Sequence, residues 1–338
     1  LILQAYHSLF DLSPLLFFDE IQNIEGWEHF ARRLANQKYN IYITGSNAKM
    51  LSREIATTLG GRFWNKDIYP YSFAEYLNAR DIILSKNWIY GKHAAEVSKA
   101  FNDYFLYGGF PELTDVIAKR VWLNDIYSKI FFSDLIVRNK VRNEEALGLL
   151  VRRLAENVKQ PVSYTRLANL ISSIGIKISK ATVIEFIRYL KESCLIFPIE
   201  NYAAKFAERN SNMKHYFIDN GLLSIFLLDG NTSLLENIVA IHLYKRYGAQ
   251  LYFYNQNIEV DFVIPEAKTA IQVSYSLMDE TTCRREVEGL IKLNRVFPMD
   301  NMCIITRDEE RIITHESGVS IHVIPVWKWL LEEEPLRT

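Results

Sequence analysis

The stretch LLFFDEIQNIEGWE, residues 15–28, decides how the first part of the chain folds. Four apolar residues, Leu15–Phe18, are followed directly by two carboxylates, Asp19 and Glu20. A short apolar run that ends in a polar cluster is typical of a strand buried in a parallel sheet. We therefore predict a strand over residues 15–19 whose carboxyl end presents two acidic side chains.

A helix and a second strand follow this first strand. Trp27, Phe30 and Leu34 recur at i, i+3 and i+7, which places them on one helix face. Residues 40–44 form the second predicted strand, which ends in the polar sequence TGSN, residues 44–47. Strand, helix and strand in this order are a βαβ unit. Since open α/β sheets bind ligands at the carboxyl ends of their strands, both polar clusters are predicted to face a ligand.

Composition restricts the class of protein. The 338 residues are 49% hydrophobic, which suffices for packed cores in two or three domains. No apolar run approaches the roughly 20 residues that cross a bilayer, and no basic-then-apolar signal segment opens the chain. The cysteines are dispersed without a CxxC pair, so neither a disulfide framework nor a zinc site is expected. We expect a cytoplasmic protein that does not enter the membrane.

Helices are predicted over the next part of the chain. Ser72 and Glu75 form a capping box that opens a helix over SFAEYL. Further helices are predicted over about 95–140. The sequence YGGFPE, residues 107–112, interrupts them because two glycines and a proline stop a helix.

Three helices and a hairpin are predicted in the middle of the chain. Helices over 144–158, 163–173 and 179–194 precede two strands, LIFPIEN and KHYFID, and this set constitutes a winged helix-turn-helix. The segment from Lys119 to His215 carries 17 Lys and Arg against 9 Asp and Glu, whereas the net charge of the whole chain is −1. A basic middle indicates either a nucleic-acid surface or a solvated helical face of mixed charge.

The third of these helices carries the candidate DNA contacts. Val183, Ile187 and Leu190 are predicted to face the core, and the polar side chains around the helix could enter a major groove. Such modules also serve as packing or protein-binding elements, so both interpretations stay open. The candidate contacts are Lys177, Ser179, Lys180, Arg188 and Lys191.

Strands and helices alternate in the last third of the chain. Helices are predicted over residues 234–247 and 284–294, and strands over residues 251–254, 259–264, 270–274, 302–306 and 321–325.

The acid pair and the next strand end match a nucleotide-hydrolysing chemistry. In P-loop ATPases the first acid of such a pair holds Mg²⁺, and the second polarises the water that attacks the γ-phosphate. Asp19 and Glu20 stand in that order, and Asn47, after the second strand, could hold this water or contact the γ-phosphate. The alternative is structural, because helix N-termini favour acids without any ligand.

Several motifs make the chain resemble the AAA-type ATPases of bacteria and archaea, members of the AAA+ P-loop superfamily. They are LLFFDEIQNIEGWE, IYITGSNAKML, LGGR, IYPYSFAEYL, YGGFPE and KHYFIDNGLL. In that family an ATPase module precedes a winged helix and a nuclease-like C-terminal domain of unknown function. The resemblance implies ATP and Mg²⁺ as ligands, with Asp19 holding the metal. It implies catalytic roles for Glu20, Asn47 and Arg62, with Ser46 as a substitute for Asn47.

One motif of this family does not occur in the 338 residues. A P-loop needs GxxxxGK followed by Ser or Thr, so that backbone amides and a lysine cradle the phosphates. None of the 14 glycines begins such a motif, and the only Gly-Lys pair, Gly91-Lys92, precedes His93. In the family this loop lies before the acid pair. We therefore expect residues 1–338 alone to bind ATP weakly at best and to hydrolyse it negligibly.

The resemblance also implies a nuclease-like fold of the PD-(D/E)xK type in the last third. Such folds hold Mg²⁺ with carboxylates from a helix and two strands, and a lysine assists the attacking water. Glu236 and Asp261 match two of the acids, but Gln272 replaces the third acid and Ser274 replaces the lysine. A neutral amide binds Mg²⁺ poorly and serine carries no charge, so we expect a fold that does not cut. The lysines considered as replacements are Lys245 and Lys268.

The predicted fold class is α/β in four segments. These are part of a P-loop ATPase core (residues 1–85), a helical lid (86–143), a winged helix-turn-helix (144–220) and a nuclease-like α/β domain (221–338). The first functional hypothesis is an ATP-binding AAA-type ATPase. The alternative is a non-catalytic module that binds nucleic acid or protein through the winged helix and the degenerate nuclease fold. The expected partners are ATP, DNA, and a protein partner or a second copy of the chain.

Overall fold

The computed structural model describes residues 2–21, 24–45, 58–60, 63–84, 88, 93–205, 209 and 211–332. The chain divides into two compact units. The first comprises Leu1–Ile68 with Leu190–Cys194, and the second comprises Tyr69–Tyr189 with Leu195–Thr338. The acid pair of the sequence therefore lies in the first unit, and the nuclease-like residues lie in the second.

The first unit contains the predicted βαβ arrangement. Helix α1 spans Ile2–Leu9, strand β1 Leu15–Phe18, helix α2 Trp27–Asn36 and strand β2 Asn40–Ile43. Strands β1 and β2 pair in parallel, with Leu15 opposite Asn40 and Phe18 opposite Ile43. Sequence patterns predict these two strands and α2, whereas α1 is additional.

Side chains alternate between the two faces of this small sheet. Phe18 and Ile43 pack against the buried cluster that contains Trp27 and Ala31 of α2. They share a face because Phe18 lies opposite Ile43 in the register of the two strands. Leu15 and Phe17, on the other face, are 57% and 70% exposed, so the strand that the sequence predicts to be buried is covered on one face only.

The capping box at the start of helix α3 (Phe73–Ala79) is confirmed. Ser72 Oγ accepts a hydrogen bond from the backbone N–H of Glu75 at 3.3 Å, and Glu75 Oε2 accepts one from the backbone N–H of Ser72 at 2.9 Å. The helices that follow are α4 (His93–Tyr107), a 3-10 turn (Pro111–Thr114), α5 (Lys119–Lys129), a π-helical stretch (Ile130–Val137), α6 (Glu144–Glu156), α7 (Tyr164–Ser172) and α8 (Lys180–Glu192).

A mixed, mostly antiparallel sheet runs through the second unit. Within the described residues it has nine strands in the order β10-β11-β9-β8-β7-β6-β4-β5-β3. The strands are β3 (Val162–Ser163), β4 (Ile196–Asn201), β5 (Asn212–Phe217), β6 (Tyr252–Asn255), β7 (Glu259–Ile264), β8 (Thr269–Val273), β9 (Asn301–Thr306), β10 (Arg311–Thr314) and β11 (Ser320–Pro325). The accompanying helices are α9 (Asn220–Ser224), α10 (Asn231–Tyr247), a 3-10 turn (Gly248–Gln250), α11 (Glu280–Val296) and α12 (Val326–Glu332).

The hairpin that follows the three helices belongs to this same sheet. Strand β4 pairs antiparallel with β5 and parallel with β6, where Glu200 lies opposite Tyr252 and Asn201 opposite Phe253. Strands of the predicted winged-helix segment (144–220) and of the predicted nuclease-like segment (221–338) are therefore hydrogen-bonded into one sheet. None of the helices in the described ranges is both long and apolar enough to span a bilayer.

Candidate functional site

The acid pair lies where β1 and β2 both end. Asp19 and Glu20 follow β1 directly. Thr44, the residue after β2, donates a hydrogen bond from Oγ1 to Asp19 Oδ1, and its backbone N–H donates to the carbonyl of Phe18 at 2.9 Å. The carboxyl ends of the two strands are thus joined at an acid of the predicted site.

Glu20 has an unusual backbone conformation. Its φ is +47°, which is the left-handed region that non-glycine residues rarely occupy. Such a conformation costs of order 1 kcal/mol, and functional sites are among the places where it clusters. Asp19 is exposed and Glu20 is half-buried, so water reaches the acid pair. Ser46, Asn47 and Arg62 lie outside the described residues.

A second candidate site is a buried ionic cluster that contains a lysine not predicted from the sequence. Lys214 of β5 has no exposed side-chain surface, and its Nζ lies 3.1 Å from Glu236 Oε1. The same Nζ lies 3.1 Å from Asp261 Oδ1 and 3.6 Å from Glu259 Oε1. Tyr216, two residues along β5, donates its hydroxyl to Glu236 Oε1 at 2.7 Å. Two carboxylates from α10 and β7 therefore flank one ammonium.

Electrostatics keep this lysine charged. Burial by itself would lower the pKa of Lys214, but the carboxylates of Glu236, Asp261 and Glu259 outweigh burial and hold that pKa above its usual value. Burial and the neighbouring carboxylates also raise the pKa of Tyr216 well above its ordinary value. Lys214 is therefore a cation and Tyr216 a neutral donor throughout the physiological range.

Gln272 and Ser274 are placed beside this cluster rather than in it. Gln272 Oε1 accepts a hydrogen bond from the backbone N–H of Asp261 at 2.9 Å, and its Nε2 donates to the carbonyl of Glu259 at 3.1 Å. Ser274 Oγ donates to the carbonyl of Ser276 at 3.0 Å. The amide of Gln272 thus binds the backbone of β7 with both of its ends.

Neither lysine considered from the sequence is bonded to the cluster in the described contacts. Lys245 Nζ donates to the carbonyl of Pro70 at 2.6 Å, and Lys268 forms an ion pair with Asp300 at 3.5 Å. Lys214 is the lysine that lies at Glu236 and Asp261. The sequence signal is a lysine two residues before Tyr216 in the predicted strand KHYFID.

The candidate DNA contacts are on the solvent side of α8 and of the turn before it. Lys177, Ser179, Lys180, Arg188 and Lys191 are all exposed. The predicted core-facing residues Val183, Ile187 and Leu190 are no more than 3% exposed. Ser179 caps the helix, since its Oγ accepts from the N–H of Thr182 at 3.1 Å. The two faces of the helix are thus divided as the sequence predicts, and the role of the basic face stays a prediction.

A metal centre is not formed by the side chains that the structure describes. Within those residues, no group of three or more His, Cys, Asp and Glu side chains is arranged to hold an ion. At the Glu236–Asp261 cluster the reason is visible, because the ammonium of Lys214 occupies the space between the two carboxylates.

Two family models match separate parts of the chain. A model described as an AAA domain matches residues 2–77 and covers the acid pair. A domain of unknown function, DUF8612, matches residues 98–233 and covers both YGGFPE and KHYFIDNGLL.

Curated relatives match nearly the whole chain. An uncharacterized protein of Methanocaldococcus jannaschii, MJ1544, is 34% identical over 330 residues, which are 94% of this chain and 74% of the relative. An uncharacterized protein of Haemophilus influenzae is 31% identical over 324 residues, which are 93% of this chain and 76% of that protein. A second uncharacterized protein of M. jannaschii, MJ1637, is 24% identical over 302 residues, which are 78% of this chain and 62% of that protein. The chain therefore belongs to the family of MJ1544, with an N-terminal part that matches an AAA domain.

Proposed function

We propose that the protein is an AAA-type ATPase in which Asp19 and Glu20 hold Mg²⁺ and activate water. The observation that carries this proposal is the junction of the β1 and β2 ends at the acid pair, within the part that matches the AAA domain. A carboxylate at this position is a hard oxygen ligand, which is what Mg²⁺ requires. The hydrogen bond from Thr44 fixes the orientation of the Asp19 carboxylate, so the residues present fit the ion.

The two acids would have different roles, one in metal binding and one in activation of water. Asp19, fixed by Thr44, would hold Mg²⁺ directly or through water, and the ion would neutralise phosphate charge. Glu20, half-buried and next to it, would accept a proton from the attacking water.

The test compares single substitutions in the full-length gene product. Glu20→Gln should lower phosphate release from Mg-ATP by roughly 10²-fold or more and leave binding of a fluorescent ATP analogue intact, because a general base contributes about that factor. Asp19→Asn should weaken the Mg²⁺-dependent part of binding. Glu28→Gln, a half-buried acid in the first turn of α2, is the matched control and should change neither. Equal turnover in Glu20→Gln and Glu28→Gln would refute the assignment.

A second candidate function is DNA binding by the start of α8. The supporting observation is that Lys177, Ser179 and Lys180 are exposed together on one side, while Val183 and Ile187 are buried on the other. Basic side chains at a helix start can contact phosphates and orient a helix towards a groove. We propose that such binding depends on charge more than on base sequence. The last third would then act as a nuclease-like scaffold that binds without cutting.

A further inference from the structure

We propose that the Lys214 ammonium is the resident cation of the carboxylate cluster formed by Glu236 and Asp261, and that it keeps divalent metal ions out of this cluster. The inference is independent of the ATPase proposal, because the cluster lies in the second unit and shares no residue with the acid pair. It assigns a ligand to a site that would otherwise look like an incomplete metal centre.

The contacts in and around the cluster engage three of the four carboxylate oxygens of Glu236 and Asp261. Nζ lies 3.1 Å from Glu236 Oε1 and 3.1 Å from Asp261 Oδ1. Asp261 Oδ2 accepts a hydrogen bond from the backbone N–H of Val273 at 2.9 Å, so both oxygens of this carboxylate are engaged. Glu236 Oε1 also accepts from the hydroxyl of Tyr216. A metal ion would have to replace the ammonium rather than join it.

Distances and charge point the same way. Oxygen ligands lie about 2.0–2.6 Å from Mg²⁺ or Ca²⁺, whereas the carboxylate oxygens here are spaced to suit an ammonium nitrogen at 3.1 Å. A divalent ion placed between them would lie against the ammonium of Lys214, which is 3.1 Å from both carboxylates. Two like charges so close in a dry interior repel strongly. The lysine therefore excludes the metal by occupancy and by charge.

Strand β5 places both Lys214 and Tyr216 beside Glu236. The two residues are separated by one position along β5 and therefore lie on the same face of the strand, and both contact Glu236 on α10. The Nζ also lies over the ring of Phe253 of β6, 5.6 Å from its centroid, an arrangement that favours a cation. Glu259, with 44% of its side chain exposed, is the only one of the three neighbouring carboxylates that is widely open to solvent. Removal of the ammonium would thus leave a carboxylate pocket with an entrance at Glu259.

Mn²⁺ binding tests this inference in the absence of nucleotide. Every variant carries Asp19→Asn, so that an ion at the proposed ATPase site is not counted. The parent, which carries only Asp19→Asn, should bind no Mn²⁺ at the cluster. Adding Asp261→Asn to it should therefore leave its Mn²⁺ binding unchanged. Lys214→Ala should bind one Mn²⁺ per chain at least tenfold more tightly and gain thermal stability with Mn²⁺. Adding Asp261→Asn should remove that gain, and Lys268→Ala, a surface lysine, should behave like the parent.

Two results would overturn the inference. One is tight Mn²⁺ binding by the parent that is lost in Asp261→Asn, because the cluster would then accept a metal with Lys214 present. The other is a folded Lys214→Ala protein whose Mn²⁺ affinity equals that of the parent. If Lys214→Ala does not fold, with or without Mn²⁺, the comparison of the parent with Asp261→Asn decides.

Discussion

The carboxylate of Asp219 accepts a hydrogen bond from the backbone N–H of Gly109, 110 residues earlier in the chain, at 2.7 Å. The sequence YGGFPE and the sequence KHYFIDNGLL therefore meet in the interior of the second unit. The other oxygen of Asp219 accepts from the N–H of Gly221 at 2.7 Å. Asn220 Nδ2 donates to the carbonyl of Phe105 at 2.9 Å. One matched domain of unknown function covers both sequences, and their contact gives a structural reason for the two motifs.

Glycine at this junction is required by close backbone approach. A Cβ on Gly221 would lie 2.1 Å from the carbonyl oxygen of Tyr107, and one on Gly109 would lie 2.3 Å from the carbonyl oxygen of Tyr71. We expect Gly221→Ala to lower the free energy of unfolding by about 3 kcal/mol or more, because backbone must move to relieve the clash. Urea denaturation followed by circular dichroism measures this.

Gly148 of α6 is the matched control for this substitution. A Cβ there would meet only the ring of Phe131, at 3.6 Å, which is ordinary contact. Gly148→Ala should therefore be neutral or stabilise by about 0.5–1 kcal/mol, as alanine does inside helices. If the two alanine variants unfold at the same urea concentration, the junction tolerates a side chain and the interpretation is wrong.

Asp219 should make stability depend on pH between about 4 and 6. Burial raises the pKa of Asp219 from 3.8 to about 6. The hydrogen bonds from the N–H groups of Gly109, Gly221 and Leu222 and the charge of Lys245 act in the opposite direction but do not outweigh burial. Because the folded-state pKa exceeds the unfolded value, the contribution of Asp219 to the free energy of unfolding is fully present below the unfolded pKa. It is lost as the pH rises through the folded pKa. The size is about 3 kcal/mol for a shift of this order.

The comparison that isolates Asp219 uses Asp219→Asn. Unfolding free energies of both proteins are measured at pH 4 and at pH 7, and the difference between the proteins is taken at each pH. Subtraction removes the titration of other carboxyls. The wild-type protein should lose about 2 kcal/mol relative to the variant between the two pH values, because part of the effect lies below pH 4. A difference that does not change with pH would contradict the prediction.

Any DNA affinity should be modest, salt-sensitive and tolerant of sequence, because it would come from phosphate contacts. Charge reversal of Lys177 and Lys180 to Glu should weaken it roughly tenfold or more and reduce its salt dependence. Fluorescence anisotropy with a labelled duplex at low and at physiological salt measures both effects. The control reverses Lys268 and Lys292, which are exposed, and changes the net charge equally. Equal losses in the two double variants would show that the start of α8 is not the surface involved.

Much of the local structure follows from sequence periodicity. The apolar run LLFF predicts strand β1, and the helical spacing of Val183, Ile187 and Leu190 predicts the buried face of α8. Strand β10 was not predicted, since RIIT is short and mostly exposed and lies at the sheet edge. Such a strand has no apolar alternation to reveal it.

The contact of Lys214 with Glu236 and Asp261 could not be predicted from the sequence. Glu236 and Asp261 were predicted from a family pattern, but Lys214 is 22 residues from the first and 47 from the second. Its role depends on β5 lying where its face meets α10 and β7. Periodicity shows that Lys214 and Tyr216 share a face, and only the tertiary fold shows which carboxylates that face meets.

We expect the last third not to cleave DNA, because the ammonium of Lys214 lies between the carboxylates of Glu236 and Asp261, where a metal ion would have to bind. With Mg²⁺ or Mn²⁺, plasmid nicking by the wild-type protein should equal that of Asp261→Ala. Restoring the nuclease pattern through Gln272→Glu with Ser274→Lys should not create activity while Lys214 is present. Gln272→Glu also removes the donor to the Glu259 carbonyl and should destabilise by about 1–3 kcal/mol. Metal-dependent nicking that is lost specifically in Asp261→Ala would show that the site is active, and the non-cutting assignment would then be wrong.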